Sequence, residues 1–203
     1  MSVNERGKES RMRRIRLSPD ERKRQIQKVA MELFTLKGFK DTTMQNIVEK
    51  SGLSTGGLYH HYSSTYEILY DIMTNGNIYR ENLIAEKIKE YEGRITDELM
   101  AKMIVDKMLA DNEFIPIYVI FLQAIEEDDN LKDLYEELKI KATSKLRRIF
   151  LDKNYEFPTG EKLDLITDLI NSSLLSCEIL KTRENFIKNR KFFENLILSI
   201  IKE

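Results

Sequence analysis

The sequence predicts an all-α protein, in which an N-terminal three-helix helix-turn-helix domain is joined to an α-helical regulatory bundle, about nine helices in total. Three observations support this class. Apolar residues recur at three- and four-residue spacing along much of the chain. Only 3 prolines and 8 glycines interrupt its 203 residues. Residues 42–65 contain a glycine turn between two short helical patterns.

The first helix is predicted over residues 19–37. Ser18, Pro19 and Glu21 mark its start, because a serine cap, a first-turn proline and a glutamate three residues after the cap are typical of a helix N-terminus. Gly38 ends it. The apolar stripe that this helix buries consists of Ile26, Val29, Ala30, Leu33 and Phe34.

Residues 42–65 predict two short helices and the start of a long one. Thr42 is expected to cap the first, with Gln45 as the reciprocal partner in a capping box. Gly52 interrupts the helical pattern and Ser54 caps the second short helix. Two such helices around a glycine turn place a recognition helix in the DNA major groove, although the spacing alone fits an ordinary helical hairpin equally well.

Six further helices are predicted for the bundle. Ser64 and Glu67 form a capping box for the first of them, and Asn130 caps the fourth. The six cover residues 64–91, 96–110, 114–127, 130–150, 161–181 and 186–202.

The residue identities between positions 20 and 70 are more specific than their spacing. A fixed order of small, apolar and aromatic residues runs through Ala30, Leu33, Phe34, Gly38, Phe39, Thr42, Thr43, Ile47, Ser51, Gly52, Leu53, Ser54, Gly56, Leu58, Tyr59, His60, His61 and Tyr62. This segment, about a quarter of the chain, resembles the N-terminal DNA-binding domain of the TetR family of bacterial transcriptional regulators. The resemblance implies a sequence-specific repressor that a small-molecule effector releases from a palindromic operator in double-stranded DNA.

The resemblance also implies which residues contact DNA. Thr43, Tyr59 and His61 are expected to contact phosphates. Base edges are expected to meet Thr55, Gly57 and His60, with Gln45 as a second reader from the preceding helix. Ser54 and Gly56 complete the first turn, where short side chains allow close approach to DNA. Thr65 stands where family members often carry a lysine, so one charged phosphate anchor is missing.

Charge is distributed unevenly along the chain. Residues 1–62 contain 13 Lys and Arg against 7 Asp and Glu, a net of +6, and the remaining residues contain 20 against 27, a net of −7. A basic head on an acidic body is typical of a DNA-binding domain joined to one that does not touch DNA, although a solvated surface would also fit. Arg13, Arg14 and Arg16 belong to a basic N-terminal arm over residues 1–17. We expect it to contact DNA, the alternative being a tail that only adds solubility.

The predicted division is a helix-turn-helix domain over residues 18–63 and a ligand-binding and dimerisation bundle over residues 64–203. The resemblance implies a cavity enclosed by the middle helices. Candidate lining residues are Met100, Met103, Met108, Phe114, Tyr118, Phe121 and Ile125. Such side chains suit an adaptable apolar pocket, and equally an ordinary core. Since no buried charge stands out in the sequence, the expected effector is apolar or weakly polar.

The last two helices carry a second set of apolar and small residues, namely Ile166, Leu169, Ile170, Ser173, Leu174, Cys177, Phe193, Leu196, Ile197 and Ile200. The resemblance implies that these helices pair with their symmetry mates in a homodimer, which would present two recognition helices to two half-sites. Burial within one subunit is the alternative.

Other classes of function lack the residues they need. Because His60 and His61 are adjacent in a helix, they point about 100° apart and cannot chelate one metal ion together. No catalytic set of Ser, His and Asp occurs, so we expect no enzyme activity, no metal and no cofactor. A single cysteine and the lack of a long apolar run predict a cytoplasmic protein without a membrane partner. The remaining alternative is a ligand-independent DNA-binding architectural or replication-linked factor on the same fold.

Overall fold

The computed structural model describes residues 17–91 and 93–203. Ten α-helices occur in this part of the chain: α1 Pro19–Lys37, α2 Met44–Ser51, α3 Thr55–Tyr59, α4 Thr65–Glu90, α5 Asp97–Met108, α6 Ile115–Ala124, α7 Asp129–Leu151, α8 Gly160–Ile179, α9 Arg183–Lys188 and α10 Arg190–Lys202. A short 3₁₀ turn, Ile125–Glu127, joins α6 to α7. The all-α class is therefore confirmed. The arginines of the predicted arm, Arg13, Arg14 and Arg16, lie outside the described residues.

The helix count exceeds the predicted nine because the last segment is two helices. The break is at Asn189, whose side-chain amide donates a hydrogen bond to the backbone carbonyl of Asn185 at 2.9 Å. A side chain that bonds the backbone in this way competes with the helical ladder. Short α9 therefore precedes α10, where one continuous helix over residues 186–202 was expected.

The cap of α2 lies one residue later than predicted. The Thr43 hydroxyl accepts a hydrogen bond from the Asn46 backbone amide at 3.2 Å, and the Asn46 side chain accepts one from the Thr43 amide at 3.2 Å. Thr42 is buried, and its hydroxyl donates to the Gly38 carbonyl at 2.8 Å. The predicted Thr42–Gln45 capping box is therefore wrong, and Gln45 is left exposed in the first turn of α2.

Two bundle caps also differ from the prediction. Asp128, not Asn130, caps α7, because its carboxylate accepts from the backbone amides of residues 130 and 131. Ser64 caps α4 as expected, accepting from the Glu67 amide at 3.2 Å. The Glu67 carboxylate, however, accepts from the Ser63 amide at 2.7 Å, so the predicted reciprocal box is not formed.

One apolar core runs from the helix-turn-helix into the bundle. Ile26, Ile47 and Leu58, from α1, α2 and α3, belong to the same buried cluster as Ile72 of α4 and Phe121 of α6. The predicted division between residues 63 and 64 therefore does not separate two cores. A second cluster buries α5 and α10 against α8 and the C-terminal ends of α4 and α7.

A buried polar network fixes α1 and the end of the helix-turn-helix to α4. The Gln27 side chain donates to the Tyr62 hydroxyl at 2.7 Å, and the Asn75 amide donates to Gln27 at 2.9 Å. The Tyr62 hydroxyl in turn donates to Asp71 at 3.0 Å, and Lys23 pairs with the same carboxylate at 3.1 Å. We call these five residues the α1–α4 junction.

We expect Tyr62→Phe to destabilise the fold by about 1–3 kcal/mol, since it removes one hydrogen bond accepted from the buried Gln27 and one donated to the half-buried Asp71. Urea-induced unfolding followed by circular dichroism measures this change. Tyr59→Phe is the matched control, because Tyr59 is 51% exposed while Tyr62 is 1% exposed. Equal stability of the two variants would mean that the junction contributes nothing.

Candidate DNA-binding surface and ligand cavity

The turn between α2 and α3 depends on Gly52, which has the left-handed φ of 69° that favours glycine. After it, the Ser54 hydroxyl caps α3 by accepting a hydrogen bond from the Gly57 amide at 3.1 Å. Leu58 is fully buried beneath the helix. The sequence therefore holds a very short α3 in a defined place, capped at its start and anchored by one side chain.

The residues predicted to contact DNA are mostly accessible. Tyr59 is 51% exposed, so its ring and hydroxyl are accessible to a partner. Thr65 at the start of α4, Gly57 and His61 are half-buried. The remaining seven are exposed, namely Thr43, Gln45, Ser54, Thr55, Gly56, Tyr59 and His60.

The two glycines of α3 have different surroundings. A Cβ placed at Gly56 would meet no atom within 4 Å, whereas one placed at Gly57 would lie 3.1 Å from the Ser54 hydroxyl. A side chain at position 57 would therefore crowd the hydroxyl that caps α3. The fold does not require glycine at position 56, so its small size is available for a surface that approaches this turn closely.

Positive charge on the described part of this surface is modest. Residues 17–62 contain 7 Lys and Arg against 5 Asp and Glu. Three of these cations pair with carboxylates, Lys23 with Asp71, Lys40 with Glu127 and Lys50 with Glu32. Partial burial and the nearby charges of His60, Arg22 and Lys23 lower the pKa of His61, so its imidazole is neutral at pH 7.

The bundle encloses a cavity of about 470 Å³, a size typical of small-molecule sites. Its walls come from α4, α5, α6, α7 and α8. Five predicted residues line it, namely Met100, Met103, Phe114, Tyr118 and Phe121. Gly76 of α4 allows Phe114 to pack closely, since a Cβ there would lie 3.2 Å from its ring.

Two of the predicted lining residues lie elsewhere. Met108 is buried in the second core, because it projects about 140° around α5 from Met103. Ile125 lies in the 3₁₀ turn and packs against the first core. Neither belongs to the cavity lining.

The cavity contains charges that did not stand out in the sequence. Arg80 of α4 and Lys107 of α5 are half-buried and line the cavity. A sequence signal for both was present. Arg80 follows Met73 and Gly76 at helical spacing, and Lys107 follows Met100 and Met103 in the same way, so each cation interrupts an apolar stripe.

Within the described residues, neither cation has a carboxylate within 4 Å, and the Arg80 Nε atom is buried with no hydrogen-bond partner. The Lys107 ammonium lies 5.5 Å from the ring centre of Tyr118. Burial, and then the charge of Arg80, lower the pKa of Lys107 to about 7. Burial raises the pKa of the Tyr118 hydroxyl, which donates to Asn171 at 2.9 Å.

Other charges in the lining are compensated. Lys139 pairs with Asp164 at 2.9 Å. Asp106 forms ion pairs with both Lys87 and Arg190. Among the described residues, Arg80 and Lys107 thus lack the oppositely charged partners that Lys139 and Asp106 have around the same cavity.

The predicted dimer residues are largely buried in their own subunit. This holds for Ile166, Ser173, Leu174, Cys177, Ile197 and Ile200, so these six were assigned wrongly to an interface. Ile166, Ile197 and Ile200 lie in the second cluster, and Leu174 lies in a third cluster with Ile115 and Val119 of α6. Leu169, Ile170, Phe193 and Leu196 are half-buried. Four other apolar residues of this region are exposed. Leu165 and Ile179 lie on α8, Leu180 directly follows it, and Phe192 lies on α10.

Among residues 17–91 and 93–203, no group of three His, Cys, Asp or Glu residues could hold a metal ion. In the same part of the chain, no helix has both the length and the apolar character that crossing a bilayer requires.

Comparison with known proteins agrees with this geometry. A family model described as "Bacterial regulatory proteins, tetR family" matches residues 26–72. The HTH-type transcriptional regulator YfiR of Bacillus subtilis (strain 168) is 44% identical over 57 residues, which are 28% of this chain and 28% of YfiR. The match thus spans under a third of that relative's length.

Solved structures resemble nearly the whole chain. GusR of Salmonella enterica has a TM-score of 0.72 at 17% identity, covering 92% of this chain and 98% of GusR. The regulator FadR of Bacillus subtilis, in complex with stearoyl-CoA, has a TM-score of 0.66 at 16% identity, covering 87% of this chain and 97% of FadR. At these identities, the likeness shows a shared fold.

The fold and the exposed α2–α3 unit define a helix-turn-helix DNA-binding protein. The segment over residues 26–72 is thus similar to the DNA-binding unit of TetR-family transcriptional regulators, and nearly the whole chain shares the fold of solved regulators.

We expect Lys107→Met to stabilise the fold, with a gain that depends on pH. The folded-state pKa of Lys107 is about 7 and its ordinary value is 10.5, so the unfolded parent binds more protons between these limits and its stability rises with pH there. The advantage of the variant should be largest at pH 6 and should shrink by about 2–3 kcal/mol by pH 9.

Denaturant unfolding at both pH values measures this change. Lys139→Met is the matched control, because the ion pair with Asp164 raises the pKa of Lys139. An advantage of Lys107→Met that is the same at pH 6 and pH 9 would contradict the lowered pKa.

Proposed function

We propose that the protein is a homodimeric repressor, which a small molecule bound in the α4–α8 cavity releases from a palindromic operator. The observation that carries this proposal is the position of α4. Its first half packs against the helix-turn-helix through Ile68, Leu69 and Ile72, and its second half lines the cavity. A ligand that shifts α4 would therefore act on the recognition unit directly.

Two further contacts link the helix-turn-helix to the cavity walls. Lys40, in the turn after α1, pairs with Glu127 in the 3₁₀ turn that follows α6. Tyr66 of α4 bonds to Asp128 at the start of α7, and its ring packs edge-on against Phe39 at 5.1 Å. Because α6 and α7 both line the cavity, these contacts provide a second connection between ligand and DNA surface.

The DNA contacts in this proposal are those expected from the sequence. The one change is that Thr43 also caps α2. Its hydroxyl therefore already accepts a hydrogen bond and has its donor left for a phosphate oxygen. Tyr59 would contact phosphate, and Thr55 and His60 would approach base edges. A repressor of this kind would act on the chromosome, in the bacterial cytoplasm.

The B. subtilis FadR structure, which shares this fold, contains stearoyl-CoA. It supports the idea that a bundle of this kind accommodates an effector with a long apolar part. The mainly apolar lining of the present cavity is compatible with such a ligand.

The proposed dimer forms through the exposed face of α8 and α10. Phe192 is 65% exposed and Leu165 is 48% exposed, and both lie on these two helices. An apolar face on paired helices would be buried by a second copy related by a two-fold axis. Two recognition helices would then meet two half-sites.

Selection of duplexes from a random-sequence pool by the full chain tests the DNA part of the proposal. We expect a palindromic consensus. Tyr59→Ala should weaken binding by about 1.5–3 kcal/mol for every sequence alike, since a phosphate contact positions without specifying. Thr55→Ala should instead alter the preferred bases. Tyr91→Ala is the control, because Tyr91 is exposed at the far end of α4.

Recovery of no consensus would contradict a sequence-specific repressor and would favour the architectural alternative. A consensus unaffected by Thr55→Ala would remove Thr55 from the base-reading set.

We expect Phe192→Glu to convert the dimer into a monomer, because it places a charge in an apolar interface. Light scattering coupled to size-exclusion chromatography should show the mass falling from twice the chain mass to the chain mass. Ile140→Glu is the matched control, since Ile140 of α7 is 63% exposed on another helix. A parent that is monomeric at micromolar concentration would contradict the proposed interface.

A further inference from the structure

We propose that Arg80 and Lys107 bind the anionic group of an amphiphile whose apolar part fills the rest of the cavity. This inference rests on the proposed function, because it names the chemical class of the effector. It replaces the apolar or weakly polar effector expected from the sequence alone.

The two cations form one cluster with Tyr118. Lys107 lies near the face of the Tyr118 ring, and Arg80, Lys107 and Tyr118 all line the same cavity. Like charges that share a site removed from water repel each other, and an anion between them would offset both the repulsion and the lost hydration.

The fold itself gives these cations no structural task. The carboxylate nearest to Arg80 in sequence, Glu81, is buried but already pairs with Lys145 at 2.8 Å. Asp106, next to Lys107 in sequence, is held by Lys87 and Arg190. Within the part of the chain that the structure describes, no acidic side chain compensates the cluster.

Arg80 has the geometry for an oxyanion. Its guanidinium presents donors in a planar fork that matches carboxylate and phosphate oxygens, and its buried Nε lacks a partner among the described residues. Leaving a buried donor unsatisfied is unfavourable in the ligand-free protein. An acceptor delivered by a ligand would satisfy it.

The remaining lining defines the rest of the ligand. It is dominated by apolar side chains from five helices, among them Leu83, Ile84, Met103, Phe121, Leu138 and Ile166. Such walls favour a hydrocarbon body over a polar one. The shared chemistry is therefore an acyl-type chain with one anionic group, which is either the carboxylate of a free acid or a phosphate of a thioester conjugate.

Isothermal titration calorimetry with the full chain tests this assignment. The probes are dodecanoate, dodecan-1-ol and dodecanoyl-CoA, each below its micellar concentration. The variants are Arg80→Met, Lys107→Met and the matched control Lys139→Met, whose lysine lines the same cavity but pairs with Asp164. Circular dichroism establishes that each variant is folded before titration.

We expect dodecanoate to bind the parent at least tenfold more tightly than dodecan-1-ol. Arg80→Met and Lys107→Met should each weaken dodecanoate binding about 10- to 100-fold, the strength of a hydrogen bond to a charged group. Both variants should bind dodecan-1-ol within twofold of the parent, and Lys139→Met should bind dodecanoate within twofold.

The third probe distinguishes the two sources of the anion. If dodecanoyl-CoA binds more tightly than dodecanoate and loses that affinity in Arg80→Met, the anion is a phosphate of the conjugate. If dodecanoate binds more tightly, the anion is the carboxylate. Equal affinity for dodecanoate and dodecan-1-ol, equal effects of all three substitutions, or no binding by either anionic probe would overturn the inference.

Operator binding by the same preparation separates this inference from the proposed function. A protein that binds its operator but neither anionic probe contradicts the inference and leaves the repressor in place. Binding of the anion through Arg80 and Lys107 without release of the operator would support the site and contradict its role as the effector site.

Discussion

Helix α4 is buried by two different parts of the chain, and the other features depend on that arrangement. Near its N-terminus it completes the core of α1, α2 and α3, where the α1–α4 junction bonds Tyr62 to Asp71 and Gln27 to Asn75. Beyond Met73 its face turns to the cavity. A packed helix moves as a unit because close-packed interiors transmit strain, so both surfaces respond to any displacement of α4.

The cavity shows a compromise between stability and binding. Two half-buried cations, with no acidic partner in the described residues, disfavour the folded state. Their neighbours Lys139 and Asp106 demonstrate that the same bundle forms ordinary ion pairs around the cavity. Functional sites commonly retain such unfavourable groups, and here they determine the class of ligand that we propose.

Much of the fold was predictable from the sequence, because helical periodicity and Gly, Pro and Ser signals are local. The start of α1 at Ser18 and the cap of α3 by Ser54 follow from such signals. Caps failed where two candidates are adjacent, as with Thr42 and Thr43, since burial of one hydroxyl against Gly38 decides between them. That burial is a tertiary effect.

The residues of the cavity and of the proposed interface were less predictable, because tertiary packing also decides which side chains belong to them. Apolar positions at helical spacing include core, cavity and interface residues alike, so Met108 and Ile197 looked like functional candidates but are core. Arg80 and Lys107 were overlooked because charged residues are usually solvated. Only the three-dimensional packing shows that these two face inward and that the exposed apolar residues are Leu165 and Phe192.

The coupling through α4 is tested most directly by a thermodynamic cycle. The affinity of dodecanoate is measured by calorimetry with and without a saturating selected operator, and the affinity of the operator is measured with and without saturating dodecanoate. Coupling through a shared helix predicts that each ligand weakens the other by one common factor of about 5 or more. A factor of one, with both ligands bound to the same dimer, would show that α4 does not connect the cavity to the DNA surface.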